Sequence, residues 1–158
     1  MNKNVLILGA SSDIGIELIK LFVKEDYHIT AHCNLNNKGL IDNFKEYKKL
    51  KIVKKNFLNL NNQNLRKFCI DKLNQKFSIF INLTGYMANK TYQNSDLKSQ
   101  IESIKINALI PSLILKYILK EMIKNKYGRI LNCSSIGVKF GGGLNSYNYS
   151  LSKHTSEF

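Results

Sequence analysis

Tyr149 and Lys153 stand four residues apart in the run Tyr149-Ser150-Leu151-Ser152-Lys153, a spacing that can make a proton-transfer pair. Four residues is close to one helical turn, so a phenol and an ammonium share one face. A cation held beside a phenol favours the phenolate and makes tyrosine a usable acid and base near neutral pH. The pair also arises by chance on many solvated helix faces, so its meaning depends on its surroundings. Tyr147 lies in the same stretch but has Leu151, not a lysine, one turn downstream.

The second suggestive segment is Gly9-Ala10-Ser11-Ser12-Asp13-Ile14-Gly15, which follows the apolar run 5–8. Gly9 would let the chain turn tightly after a strand, and Gly15 would let a helix approach the sheet closely. The unpaired N–H groups at the start of that helix, with its positive dipole end, would face an anion. Ser11 and Ser12 add hydroxyl donors, and Asp13 is expected to act as the N-cap. The alternative is an ordinary capped turn.

Positioning these groups requires a scaffold, and the chain alternates short apolar runs with longer helical patterns. Strands are expected at 5–8, 28–32, 51–55, 78–82 and 129–133. Helices are expected at 14–24, 38–49 and 65–73, in one long stretch at 99–124, and from near Tyr147 onward. Such alternation implies right-handed crossovers and an α/β fold, a parallel sheet covered by helices on both faces. The unbroken apolar strands Val5-Leu6-Ile7-Leu8 and Ile79-Phe80-Ile81 suit that cover.

A length of 158 residues with 44% hydrophobic and 10% aromatic content predicts a single globular domain over 1–158. The segment before residue 5 is too brief for a secretory leader, and the most apolar stretch, 109–119, holds Pro111, Ser112 and Lys116. A cytoplasmic protein without a membrane span is expected. Cys33, Cys69 and Cys133 are odd in number and widely spaced, as in reduced cytosolic thiols, and His28, His32 and His154 form no cluster. No metal is expected. The net charge of +13 invites a nucleic-acid reading. The basic residues are scattered, however, and frequent Asn and Ile make a compositional bias a sufficient cause of the lysine excess. No nucleic-acid partner is expected.

The turn at Gly9–Gly15 resembles the cofactor turn of the classical short-chain dehydrogenases/reductases, with Leu8 where Thr is usual and Asp13 in place of the middle glycine. Asn82-Leu83-Thr84-Gly85 resembles the family's Asn-Asn-Ala-Gly motif, and Asn107 falls where the family places its active-site Asn. Gly128-Arg129-Ile130-Leu131-Asn132-Cys133-Ser134-Ser135 resembles the strand leading to the catalytic Ser, and Tyr149 and Lys153 follow. These blocks occur in order along the whole chain.

The resemblance implies a Rossmann-type doubly wound sheet of strand order 3-2-1-4-5. It implies an oxidoreductase that reduces a carbonyl to an alcohol, or the reverse, closest in tone to 3-oxoacyl carrier-protein reductases. Tyr149 would give the proton, Lys153 would bias the phenol and hold the nicotinamide ribose, and Ser135 would polarise the substrate oxygen, with Ser134 as the alternative. Asn107 would hold a water joining Lys153 to solvent. The cofactor would lie against Gly9, Ser11, Ser12, Ile14, Gly15, Asn34, Asn56, Phe57, Asn82, Gly85, Tyr149 and Lys153. The second strand ends Ala31-His32-Cys33-Asn34 without a carboxylate, and Lys38 follows. That favours NADP(H), with NAD(H) possible. Gly141-Gly142-Gly143 is expected as a loop beside the substrate.

Family members usually run on for about a hundred further residues, a domain-scale length. The chain is therefore expected to be a C-terminally incomplete fragment, lacking the last strands and the substrate lid, and homo-oligomeric only when full length. The resemblance implies a small carbonyl or alcohol as the partner. Two rival readings are a non-catalytic nucleotide-binding remnant and a basic nucleic-acid-binding module.

Overall fold

β1 (Asn4–Leu8) is apolar at every inner position because both of its sides are covered. The computed structural model describes residues 2–157. β1 pairs in parallel with β2 (His28–Cys33) on one side and β4 (Ile79–Asn82) on the other. β3 (Leu50–Lys54) extends the sheet beyond β2, and β5 (Arg129–Asn132) extends it beyond β4. The order is β3-β2-β1-β4-β5, the doubly wound arrangement expected.

The two-residue period of β1 sends its side chains into two cores. Val5 and Ile7 join Ile19 of α1 (Asp13–Lys24) and Leu40 and Phe44 of α2 (Lys38–Phe44). Leu6 and Leu8 join Leu65 and Phe68 of α3 (Asn62–Lys72) and Ile110, Ile114 and Ile118 of α5 (Ile110–Lys124). Each such side chain, fully buried, contributes about 1.5–3 kcal/mol of transfer free energy. The remaining helices are α4 (Leu97–Ile104), α6 (Ile136–Phe140) and α7 (Tyr147–Thr155).

Several boundaries differ from expectation for identifiable reasons. Ser12, not Asp13, caps α1: its side chain accepts from the Gly15 N–H, and Asp13 is the first helical residue. α2 stops at Phe44 rather than 49, and Tyr47 donates its hydroxyl to the Tyr27 carbonyl at 2.6 Å. α3 starts three residues early because the Asn61 side chain caps the Asn64 N–H at 2.8 Å. α6 matches no expected element, since five residues are too few for a period to register.

The stretch expected as one long helix is α4 and α5 joined by a π-helical segment, Lys105–Leu109. Pro111 accounts for it. Proline has no N–H to give the carbonyl four residues back, which is that of Asn107. The Ile110 N–H instead reaches the Lys105 carbonyl, five residues back. The Asn107 carbonyl accepts from Asn82 Nδ2 at 3.4 Å.

Candidate active site

The turn from β1 to α1 is shaped by what its glycines must avoid. Gly9 has φ +72, and a Cβ there would stand 2.7 Å from the Leu83 carbonyl oxygen. A Cβ on Gly15 would stand 2.3 Å from the Ala10 carbonyl oxygen, so α1 rises tightly against its own turn. Ser12 is consumed by this geometry: its hydroxyl donates to the Gly9 carbonyl at 3.1 Å while its oxygen caps Gly15. It is therefore a turn-builder rather than the spare donor expected. The first-turn amides, those of Asp13 and Ile14, have no intrahelical acceptor by construction.

Beyond this turn lies a cleft of about 440 Å³. Gly9, Ser11, Ser12, Asn34, Asn56, Phe57 and Gly85 all line it, as expected of cofactor contacts. Ile14, Gly15, Asn82, Tyr149 and Lys153 do not line it. Gly15 and Asn82 are buried behind the wall, where they shape it. His32, Lys55, Thr84 and Tyr86, absent from the expected contacts, also line it. No carboxylate does, Asp13 included. A helix N-terminus, a serine pair, a lysine and an aromatic floor suit a phosphorylated nucleotide. Lys38 begins α2 and is not among the lining residues.

At the carboxyl ends of β4 and β5 the chemistry-bearing side chains converge. Lys153 is 1% exposed, and its ammonium donates to the carbonyls of Thr84 and Cys133, at 2.7 Å each. The same Nζ lies 5.7 Å from the Tyr149 ring centre. The Ser135 side chain lies near enough to the Tyr149 phenol to ease its ionisation, whereas Ser134 bonds Glu157. Of the two serines, only Ser135 meets the tyrosine. Ser135 also caps α6 through the Gly137 N–H, which fixes its position. A Cβ placed on Gly85 would stand 4.0 Å from the Tyr149 hydroxyl, so the phenol borders the cleft at that residue. Tyr147 is exposed and packs edge-on against Tyr92.

Electrostatics departs from the simple expectation that Lys153 lowers the phenol. Burial holds the Tyr149 phenol above its ordinary value of 10.0, the neighbouring Cys133 adds to the rise, and the polar Ser135 side chain opposes it. Burial likewise pushes the Lys153 ammonium below 10.5. The two carbonyls, rather than the phenol, hold its donors.

Asn107 serves the scaffold with its whole side chain. Its Oδ1 accepts from the Tyr86 N–H at 2.8 Å, and its Nδ2 donates to the Tyr86 carbonyl and to Ser152 Oγ, both at 2.8 Å. Asn148 Nδ2 donates to Ser99 Oγ, while Ser95 Oγ donates to Asn148 Oδ1. The α4–α7 contact is thus a buried polar seam. Ser152 and Asn148 escaped the sequence reading because their partners are 45 to 53 residues away. The only local signal was position: Asn148 precedes Tyr149 and Ser152 precedes Lys153.

The comparisons agree with this geometry. The family model described as short chain dehydrogenase matches residues 3–157. The chain is 28% identical over 153 residues to 3-oxoacyl-(acyl-carrier-protein) reductase FabG of Buchnera aphidicola subsp. Schizaphis graminum (strain Sg), covering 96% of this chain and 52% of that relative. It is 35% identical over 75 residues to the reductase of the same name from Aquifex aeolicus (strain VF5), covering 48% and 30%. The chain thus spans about half the length of the Buchnera relative. Among solved structures, 4-hydroxyisoleucine dehydrogenase complexed with NADH superposes with a TM-score of 0.81 at 27% identity, covering 97% of this chain and 63% of that one. ElxO with NADP bound gives 0.79 at 26% identity, covering 98% and 64%. With a matched sheet order, a glycine turn over a nucleotide-sized cleft and a family match running through nearly every residue, the chain belongs to the short chain dehydrogenase family.

Proposed function

We propose that this chain carries NADP(H)-dependent reduction of a carbonyl to an alcohol, or the reverse. The observation that supports it most is the meeting of the Tyr149 phenol with the Ser135 hydroxyl at the border of the nucleotide cleft, with the Lys153 ammonium behind it. A nicotinamide supplies or takes up the hydride. Ser135 donates a hydrogen bond to the substrate oxygen, and Tyr149 donates its proton to the same oxygen as negative charge develops there. A phenol raised above its ordinary value is fully protonated at neutral pH, which suits the reductive direction. In the oxidative direction Tyr149 must first lose its proton, and Lys153 stabilises the resulting charge by leaving one of its two carbonyls. Because the Asn107 side chain is fully engaged, its part in proton resupply falls to the backbone carbonyl released by Pro111.

The absence of a carboxylate from the cleft lining, with Lys55 present, supports NADP(H) over NAD(H). The relatives include complexes named for each cofactor. The two curated relatives are named as reductases of a 3-oxoacyl carrier-protein, and a 3-oxoacyl group is the substrate class we propose. The test is titration of the chain with NADPH and with NADH, followed by NADPH oxidation with a 3-oxoacyl thioester. Tighter NADPH binding and turnover abolished by Tyr149→Phe support the reading; failure to bind either cofactor overturns it.

A second reading is cofactor binding without turnover. It is favoured by the Lys153 ammonium, which is occupied by two carbonyls rather than the phenol. NADPH binding with no carbonyl-dependent oxidation would support that alternative.

A further inference from the structure

His32 sits near the end of β2, 3% exposed, with four residues arranged around its ring. Its Nε2 is 2.8 Å from the Lys55 carbonyl oxygen, which can only accept, so the ring proton is on Nε2. Nδ1 is then a bare lone pair, and it faces the Gly9 N–H at 3.4 Å. The ring stacks flat on Phe57, centroids 4.0 Å apart and planes 6° apart, with Phe68 edge-on at 6.4 Å. The backbone carbonyl of the same residue accepts the Ala10 N–H at 2.8 Å. One residue therefore holds two successive amides of the glycine turn, one with its main chain and one with its side chain. His32, Phe57, Lys55 and Gly9 all line the cleft.

We propose that His32 is a positioning residue of the nucleotide cleft: as the Nε2–H tautomer, its Nδ1 lone pair fixes the Gly9 amide and so sets the turn that receives the cofactor phosphates. The proposal rests on the reading of the cleft as a cofactor site. The Leu8–Gly9 peptide is held from two sides: its carbonyl accepts the Leu83 N–H at 2.9 Å, and its N–H meets the His32 ring. The stacked Phe57 and the Lys55 carbonyl fix the ring, and the ring fixes the peptide. The order of causation runs from the β3 end, across β2, to the phosphate turn.

Two variants separate the contacts. His32→Asn carries an oxygen at about the place of Nδ1 and can still meet Gly9 but not Lys55. His32→Gln extends an amide toward Lys55 and leaves Gly9 without its acceptor. NADPH affinity measured by titration should stay within about threefold for His32→Asn and fall about tenfold for His32→Gln, the worth of one hydrogen bond. Thermal melts of both, run in parallel, report the common structural loss. Equal affinities in the two variants, or the reverse order, overturn the proposal even if both melts fall. Nitrogen NMR of the unaltered chain provides a check independent of mutation: the His32 ring must show protonated Nε2 and bare Nδ1, and the opposite tautomer overturns the assignment. If the unaltered chain binds no nicotinamide nucleotide, the cofactor reading fails instead, and the ring tautomer still decides whether Nδ1 is available to Gly9.

Discussion

The glycine turn and the tyrosine corner are two halves of one candidate site, yet they are built by different means. Around Gly9 and Gly15 the shape comes from backbone packed against backbone, with no room for a methyl group at either position. Around Tyr149 it comes from side-chain hydrogen bonds across the α4–α7 seam and from one ammonium bridging two carbonyls. Burial differs too: every β1 residue from Val5 to Leu8 is fully covered, while all four residues of β5 are exposed. A sterically built turn fails abruptly when a single atom is added. A polar seam fails by degrees, one orphaned partner at a time.

The largest effect expected falls on the tyrosine corner. Tyr149→Phe should lower carbonyl reduction by about a hundredfold to ten-thousandfold while leaving NADPH affinity within a factor of a few, as read by steady-state rates and titration. Comparable loss of affinity would erase the division between the two halves. On the other side, Gly15→Ala should cost about 3 kcal/mol, since its Cβ would meet backbone rather than a flexible side chain. The corresponding fall in Tm is roughly 6–12 °C for a domain of this size. A melt within 2 °C of the parent would show that the turn can yield after all.

The two halves should also answer differently to acid. Burial lowers His32 from 6.5 to about 4, so the unfolded chain binds its proton first. Stability should therefore be intact above about pH 6.5, decline as pH falls toward 4, and stop declining from this cause below that. The loss approaches about 3 kcal/mol by linkage. Chemical denaturation at stepped pH should show that decline, and His32→Asn should flatten it. An unchanged slope in the variant would move the acid sensitivity elsewhere. Smallest of all is Asn107→Ala, with an expected cost of about 2 kcal/mol for leaving the Tyr86 amide and carbonyl and the Ser152 hydroxyl short of a partner. Denaturant unfolding measures it, and a loss under 0.5 kcal/mol would mean that water fills the seam at little cost.

What could be read from the sequence follows the same division. The five strands and the glycine turn were legible because their signals are local, an apolar run and a glycine, whereas the strand order came only with the family resemblance. Seven of the cofactor residues expected do share one cleft. Ser12 was placed correctly yet misassigned, because a serine before a helix reads equally as donor or cap until the hydrogen bonds are seen. Nothing local distinguishes Ser134 from Ser135; the contact of Ser134 with Glu157 is what sets the two apart in space. His32 read as a stray histidine, since its meaning depends on Lys55 and Phe57, more than twenty residues downstream. The direction of the Tyr149 shift was missed for a similar reason: spacing puts Lys153 beside the phenol but says nothing of the burial that raises it, nor of the two carbonyls that hold the ammonium.

The π-helical segment also makes this stretch intolerant of changes in chain length. Deleting one residue between Lys105 and Leu109 would take out the extra residue that the π turn holds and rotate everything upstream of it by roughly 100° relative to α5. Ser99 would swing off Asn148 of α7, while the apolar row from Ile110 to Met122 stayed in place. A one-residue deletion there should damage the protein far more than the same deletion among the glycines at 141–143.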